Sequence, residues 1–227
     1  MALKGNKRHI NRLAAPRYYK VSRKSSSYIT KPNPGRFNSE TSVSLITAMK
    51  EKLMLARTSR EARSVITTGG VEINGKTVRE EKYPVGFGDM IHFKSGNQTF
   101  NASVGRYGVI QFVEVKEKSR EQVSKVVGKY VASGKTQMVR LLDGRQVKAA
   151  PKVQVNDSVV LKDGKITGVI KAQEGAKCMV LHGVHASENG VIKAIKKGSA
   201  QRDATVEVES KAGTFETLVD NIIVVGA

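Results

Sequence analysis

Arg57, Arg60 and Arg63 recur at every third position around the start of a short helix, where Thr58 and Glu61 form a capping-box pair. Free N–H groups and the helix dipole already favour an anion at such a start, so guanidinium forks there suit a phosphate. Lys76 flanks the patch and extends it. An ordinary solvated face is the competing explanation, but the strongly basic leader upstream favours binding. A second candidate is GVEINGKT at 70–77, which satisfies the phosphate-loop pattern G-x-x-x-x-G-K-[ST] letter by letter. It lacks the geometry. Val71-Glu72-Ile73 alternates as a strand, Asn74-Gly75 supplies a hairpin turn, and no helix follows the lysine to aim N–H groups at phosphate oxygens. Third, Cys178, His182 and His185 fall within eight residues. Three donors do not close a structural zinc shell, and nothing nearby depresses a thiol pKa. His9 and His92 read as an arm residue and a strand residue, and the carboxylates are scattered. No catalytic residue, metal site, cofactor or small-molecule substrate is expected.

The charge distribution says more. Residues 1–36 hold ten cations (Lys4, Lys7, Arg8, Arg12, Arg17, Lys20, Arg23, Lys24, Lys31 and Arg36) and no Asp or Glu. A segment of that composition is expected to stay loose until a polyanion neutralises it. Of the net charge of +19, residues 1–36 carry +10, 37–110 carry +3, 111–172 carry +7 and 173–227 carry −1. Such a chain repels itself when free and gains affinity by displacing counterions from a nucleic-acid backbone. Aromatic residues make up only 5%, with no paired stacking platform, so folded RNA read by shape and backbone is favoured over a base-specific single-strand reader. The single cysteine excludes an internal disulfide and suggests a reducing compartment. No run reaches the roughly 18 apolar residues of a membrane span, and the N-terminus lacks an apolar signal core, so a soluble intracellular protein without a membrane partner is expected.

The elements that must position these residues follow from periodicity. Ser, Pro and Gly punctuate 25–41 as a linker. Val43, Ile46, Met49 and Leu53 recur at helical spacing, predicting a first helix with Lys50, Glu51 and Lys52 turned outward. A second short helix buries Ala62, Val65 and Ile66 and stops at Gly69-Gly70. The period then drops to two through the Asn74-Gly75 hairpin and a strand at Met90–Phe93. From Phe100 onward short Val- and Ile-rich strands alternate with Gly turns, predicting small β-barrels, with one weak helical turn at 118–124.

Residues 44–93, with ARTSREA at 56–62, GGVEINGK at 69–76 and GDMI at 88–91, resemble the S-four-type RNA-binding domain. GAKCMVLHGVHASENGVIKAI at 175–195 resembles a KOW motif. Together with GNKRHINRLAAP at 5–16, KYPVGFGDMI at 82–91 and DNIIVVG at 220–226, the whole chain resembles the small-subunit ribosomal protein family S-four-e of archaea and eukaryotes. The archaeal type is closer, since no basic tail follows Gly226; a Gly-Pro-His turn usual after the arm reads Gly35-Arg36-Phe37.

The resemblance implies an α+β chain: a basic extended arm and linker over 1–41, an S-four-type helix/sheet domain over 42–105, a central β-rich barrel-like domain over 106–172, and a KOW-type SH3-like barrel over 173–227. It implies a structural constituent of the cytoplasmic ribosome whose partners are small-subunit rRNA and neighbouring ribosomal proteins. The residues expected on rRNA phosphates are Lys4, Lys7, Arg8, Arg12, Arg17, Lys20, Arg23, Lys24, Arg57, Arg60, Arg63 and Lys76. Two rival readings share these modules: an RNA-modifying enzyme, since S-four-type domains also accompany pseudouridine synthases, and a transcription elongation accessory, since KOW modules serve there.

Overall fold

The computed structural model describes residues 9–39, 41–115, 121–149, 153–162, 164–199, 202–211 and 213–226, without the side chains of Arg17 and Lys135. They group into two units, Met1–Ser103 with Val109–Lys118 and Val104–Gly108 with Ser119–Ala227.

In the first unit the described part of the leader is folded, not loose. Strand β1 (His9–Asn11) pairs antiparallel with β2 (Tyr28–Thr30), and two 3-10 turns, Arg12–Ala14 and Arg17–Tyr19, lie between them. Tyr19, Ile29 and Phe37 are buried, and Tyr19 joins the core of Val43, Leu45, Ile66 and Ile91, with Ile10, Tyr18 and Val21 packed around it. These apolar anchors are interleaved with the cations, and their burial offsets the ordering entropy that the charge count alone predicts to win.

Strand β3 (Ser42–Ser44) leads into α1 (Leu45–Thr47), which widens into a π-helical turn at Ala48–Lys52 closed by Leu53 N donating to Ala48 O at 2.9 Å. The predicted first helix thus starts two residues late, because Val43 pairs with Val85 of β6 (Pro84–Gly86) instead of starting a turn. Lys50, Glu51 and Lys52 are half-buried and not turned out to solvent: Arg12 of the leader reaches Glu51 at 2.8 Å.

Helix α2 (Ser59–Thr67) carries the predicted reciprocal cap, Glu61 N donating to Thr58 Oγ1 and Thr58 N to Glu61 Oε2. Its Ala62 and Ile66 face the core, and Gly69, at φ 81°, ends it. Strands β4 (Val71–Ile73) and β5 (Lys76–Thr77) form the Asn74-Gly75 hairpin, both turn residues having positive φ, so GVEINGKT is a hairpin and not a phosphate loop. With β7 (Met90–Phe93), β8 (Gln98–Gly105) and β9 (Val109–Glu114) they make a sheet of order β5-β4-β7-β8-β9. Buried Asp89, just before the central strand β7, ties the start of that strand to the hairpin turn and to β6, accepting from Asn74 Nδ2 at 2.7 Å and Gly86 N at 3.1 Å and pairing with Arg36 at 3.1 Å.

The second unit is built from two antiparallel sheets. The first has the order β12-β11-β10-β13-β14, from β10 (Glu121–Ala132), β11 (Thr136–Leu141), β12 (Gln146–Lys148), β13 (Ser158–Lys162) and β14 (Lys165–Ile170). The second has the order β18-β17-β16-β15-β19, from β15 (Lys177–Val180), β16 (Asn189–Lys196), β17 (Thr205–Ser210), β18 (Gly213–Leu218) and β19 (Ile222–Gly226). Each has its own apolar cluster, Val126, Val139, Leu141, Val159 and Leu161 in one, Cys178, Val180, Ile192, Val208 and Val224 in the other.

The helical turn expected at 118–124 is corrected from Glu121 onward: Gln122, Val123 and Ser124 pair with Leu161, Val160 and Val159, so ladder bonds override a weak local preference. Residues 116–120 lie outside the described residues. Among the described residues the α-helices belong to the first unit, and the α+β expectation resolves to a mostly β chain. Lys125 is buried in the second unit, its Nζ donating to Val219 O at 2.6 Å with Asp220 at 3.9 Å.

Candidate nucleic-acid interface

Helix α2 presents its N-terminal end to solvent. Besides capping Thr58, Glu61 Oε2 accepts from Arg57 N at 2.9 Å, which fixes the backbone on which Arg57 and Arg60 sit. Both arginines are exposed and have no ion pair among the described residues. A guanidinium in that state keeps its donor fork free for a phosphate. Arg63, one turn on, is exposed but pairs through Nε with Glu81. Being mostly solvated, that pair is weak and yields readily to a more highly charged partner. Lys76 is exposed on β5, while Lys94, in the turn after β7, is held at 3.0 Å by Glu72 of β4, the strand between β5 and β7.

The leader divides into three fates. Lys4, Lys7 and Arg8 lie outside the described residues, and of Arg17 only the backbone turn is described. Lys20, Arg23 and Lys24 are exposed, Lys20 at a strained φ of 42°. Arg12 is the correction. Its guanidinium is 3% exposed and donates to Ser26 O and Ser22 O at 2.6 Å each, to Ser26 Oγ at 2.7 Å and to Glu51 Oε1 at 2.8 Å. With those donors engaged it is a structural clamp closing the leader onto the Ala48–Lys52 turn, and it leaves the phosphate-binding set.

That closure creates a feature the residue spacing does not carry. Lys52 comes close enough to Lys20 that burial, and then the neighbouring charge, lower its pKa to about 8. Lys20 and Lys52 have no ion pair among the described residues, and an anion beside them would relieve that repulsion. The only sequence signal for it was the absence of acids from the leader.

Cys178, His182 and His185 do not converge. The Cys178 thiol is buried, and burial raises its pKa; burial likewise lowers that of His182. His185 stacks on Phe215 at 4.0 Å and turns Nδ1 to Glu188 at 3.2 Å. Among the described residues no three His, Cys, Asp or Glu side chains are arranged to hold a metal ion, and no helix is long and apolar enough to cross a membrane.

Family models match at two places, the RS4NT (NUC023) domain over residues 4–35 and the S4 domain over residues 49–91. The second match contains α2, the Asn74-Gly75 hairpin and Asp89. A solved structure, the 30S ribosomal protein S4e of Thermoplasma acidophilum, superposes with a TM-score of 0.69 at 28% identity, covering 82% of this chain and 96% of that one. The small ribosomal subunit protein eS4 of Thermoplasma volcanium is 31% identical over 220 residues, covering 95% of this chain and 92% of its own length. Its counterpart in Methanosphaera stadtmanae is 31% identical over 229 residues, 100% of this chain and 95% of that protein. With the leader, the arginine-bearing helix and the β-rich remainder all inside these alignments, the chain belongs to the eS4 family of small ribosomal subunit proteins.

Proposed function

We propose that this chain is a non-enzymatic structural constituent of the small ribosomal subunit in the cytoplasm, bracing rRNA through phosphate-backbone contacts. The observation that carries the reading is the pair of exposed guanidinium groups, Arg57 and Arg60, without an ion pair among the described residues, on the capped end of α2 inside the S4 domain. Arg63 and Lys76 widen that patch. Lys20, Arg23 and Lys24 of the leader, with Lys52 of the Ala48–Lys52 turn, form a second one, continued by Lys4, Lys7, Arg8 and Arg17 at sites assigned by charge. In this reading the domains run 42–105 for the S4-type domain, 106–172 for the central β domain and 173–227 for a KOW-type SH3-like barrel, while the leader of 1–41 is a part of the first domain's fold as well as an arm. The near-neutral balance of 173–227 suits a neighbouring ribosomal protein. The eS4 relatives align along almost their whole length with this chain.

The test is filter binding of the full chain to small-subunit rRNA across a salt series. If six or so phosphates are engaged, affinity falls by about three orders of magnitude between 50 and 200 mM salt. The double variant R57Q/R60Q should lower the slope of log affinity against log salt by about two while leaving the melting temperature unchanged. A flat salt response, or a double variant that binds like the parent, would overturn the reading.

A further inference from the structure

The β12-β11-β10-β13-β14 sheet of the second unit carries cations that the α2 and leader patches do not use. Strand β10 outruns one neighbour: Glu121–Lys125 pair with β13, whereas Gly128–Ala132 continue along β11. There the register lines up two rows across β10, β11 and β12, Gly128 with Arg140 and Gln146, and Tyr130 with Met138 and Lys148. Side chains alternate along a strand, and Val139, Leu141 and Val147 turn to the apolar cluster, so these six residues share the opposite, solvent-facing side.

The chemistry of that face is specific. Tyr130 is 39% exposed, and its hydroxyl donates to Gln146 Oε1 in the next row, which holds the ring in place. The Arg140 guanidinium lies over Gly128, where a Cβ would sit 3.8 Å from its Nη2. Arg140 and Lys148 are exposed and have no ion pair among the described residues. Between Val127 and Ala149 the sequence has five cations and one acid, Asp143, which is 4% exposed and turned to Arg145. The face therefore offers an oriented aromatic ring flanked by two cations without an ion pair among the described residues, and neither of the two rows contains a carboxylate.

We infer that this face is a second nucleic-acid site, one that takes an unpaired nucleotide of RNA, the base stacking on Tyr130 and the flanking phosphates resting on Arg140 and Lys148. A base in a duplex has both faces covered by its neighbours, so only an unstacked one can occupy the ring. A protein neighbour without matching carboxylates would bury two unpaired charges, which is strongly unfavourable. The site shares no residue with α2, so the two proposals fail separately.

The probe is a 12-nucleotide single strand carrying 5-iodouridine, photocrosslinked to the full-length chain and mapped by mass spectrometry, beside a duplex of the same sequence. The expected result is an adduct on Tyr130 from the single strand and none from the duplex. Tyr130→Ala should weaken single-strand binding by about 5- to 100-fold, the range that loss of one base–aromatic stack implies. R140Q/K148Q should lower the adduct yield about tenfold through lost phosphate contacts, and the charge-keeping R140K/K148R should retain it. Adducts elsewhere with none on Tyr130, equal adducts from the duplex, or a yield indifferent to R140Q/K148Q would each overturn the assignment. The wild-type crosslink decides the matter even if a variant proves unstable, and melting curves identify that case.

Discussion

Arg12 and Arg57 are the same side chain put to opposite uses, and the difference lies in what faces them. Arg12 has carbonyl groups, a hydroxyl and Glu51 around its guanidinium, the carboxylate coming from 39 residues away. Arg57 has solvent. Removing Arg12 strands a half-buried carboxylate and two carbonyl acceptors, so Arg12→Gln should destabilise the first unit by about 3–5 kcal/mol. Urea denaturation monitored by tyrosine fluorescence would report it, and a loss under 1 kcal/mol would contradict the clamp. Arg57→Gln should leave the same curve unmoved. Arg63 stands between the two: because its pair with Glu81 is largely solvated, Arg63→Gln should cost under about 1 kcal/mol. No local pattern separates these arginines, since each has both polar and apolar neighbours along the chain. The distinction is tertiary.

At the scale of elements, what was legible depended on whether the signal was local. The Thr58–Glu61 cap, the Asn74-Gly75 turn and the Gly69 stop are decided within four residues, and each forms where its chemistry requires. The leader's fold, the π-helical turn and the first half of β10 depend on partners far along the chain, and there composition misled. The Tyr130 face was hidden for the same reason, since Tyr130, Arg140 and Lys148 become neighbours only through a three-strand register. Packing between strands also sorts the glycines. A Cβ at Gly190 of β16 would lie 2.5 Å from Val208 Cγ1 and 2.6 Å from Glu209 O, both on the paired strand β17. One of these atoms is backbone and cannot swing aside, so Gly190→Ala should cost about 1–3 kcal/mol or more. At Gly168 of β14 the nearest atom is Val160 Cγ2 at 3.7 Å, an ordinary contact. Gly168→Ala should therefore fall within about 0.5 kcal/mol of the parent in a thermal melt. Equal losses at the two positions would mean that β16 and β17 are less closely apposed than this register requires.

Across the whole molecule, a charge of +19 and two lysines placed in poorly solvated sites make the free protein's stability depend on pH. Burial is the larger cause of lowering Lys125 to about 8, partly countered by Asp220, and it lowers Lys52 to about 8 as well, assisted by Lys20. The unfolded chain keeps its lysine protons to about pH 10.4. Below pH 8 both states carry the protons, so the cost of burying charge is fully present and the slope is flat. Between about 8 and 10 the unfolded state binds more protons than the folded one, and stability rises with pH. Above about 10 buried Tyr19 reverses the trend: its pKa is raised, so the unfolded tyrosine ionises first and stability falls. The melting temperature should therefore peak near pH 9 to 10. Lys125→Met isolates one contribution. Relief of the buried charge is worth on the order of 3 kcal/mol for a shift of this size. The bond lost to Val219 O is worth about 1 kcal/mol, so the variant should melt higher than the parent at pH 7 and show a smaller rise toward pH 9. With rRNA bound, phosphate beside Lys20 and Lys52 should restore the Lys52 proton and remove its share of the rise, while the share of Lys125 persists. A Lys125→Met chain melting below the parent at pH 7 would mean that the ammonium is better solvated, or better paired, than its contacts with Val219 and Asp220 provide.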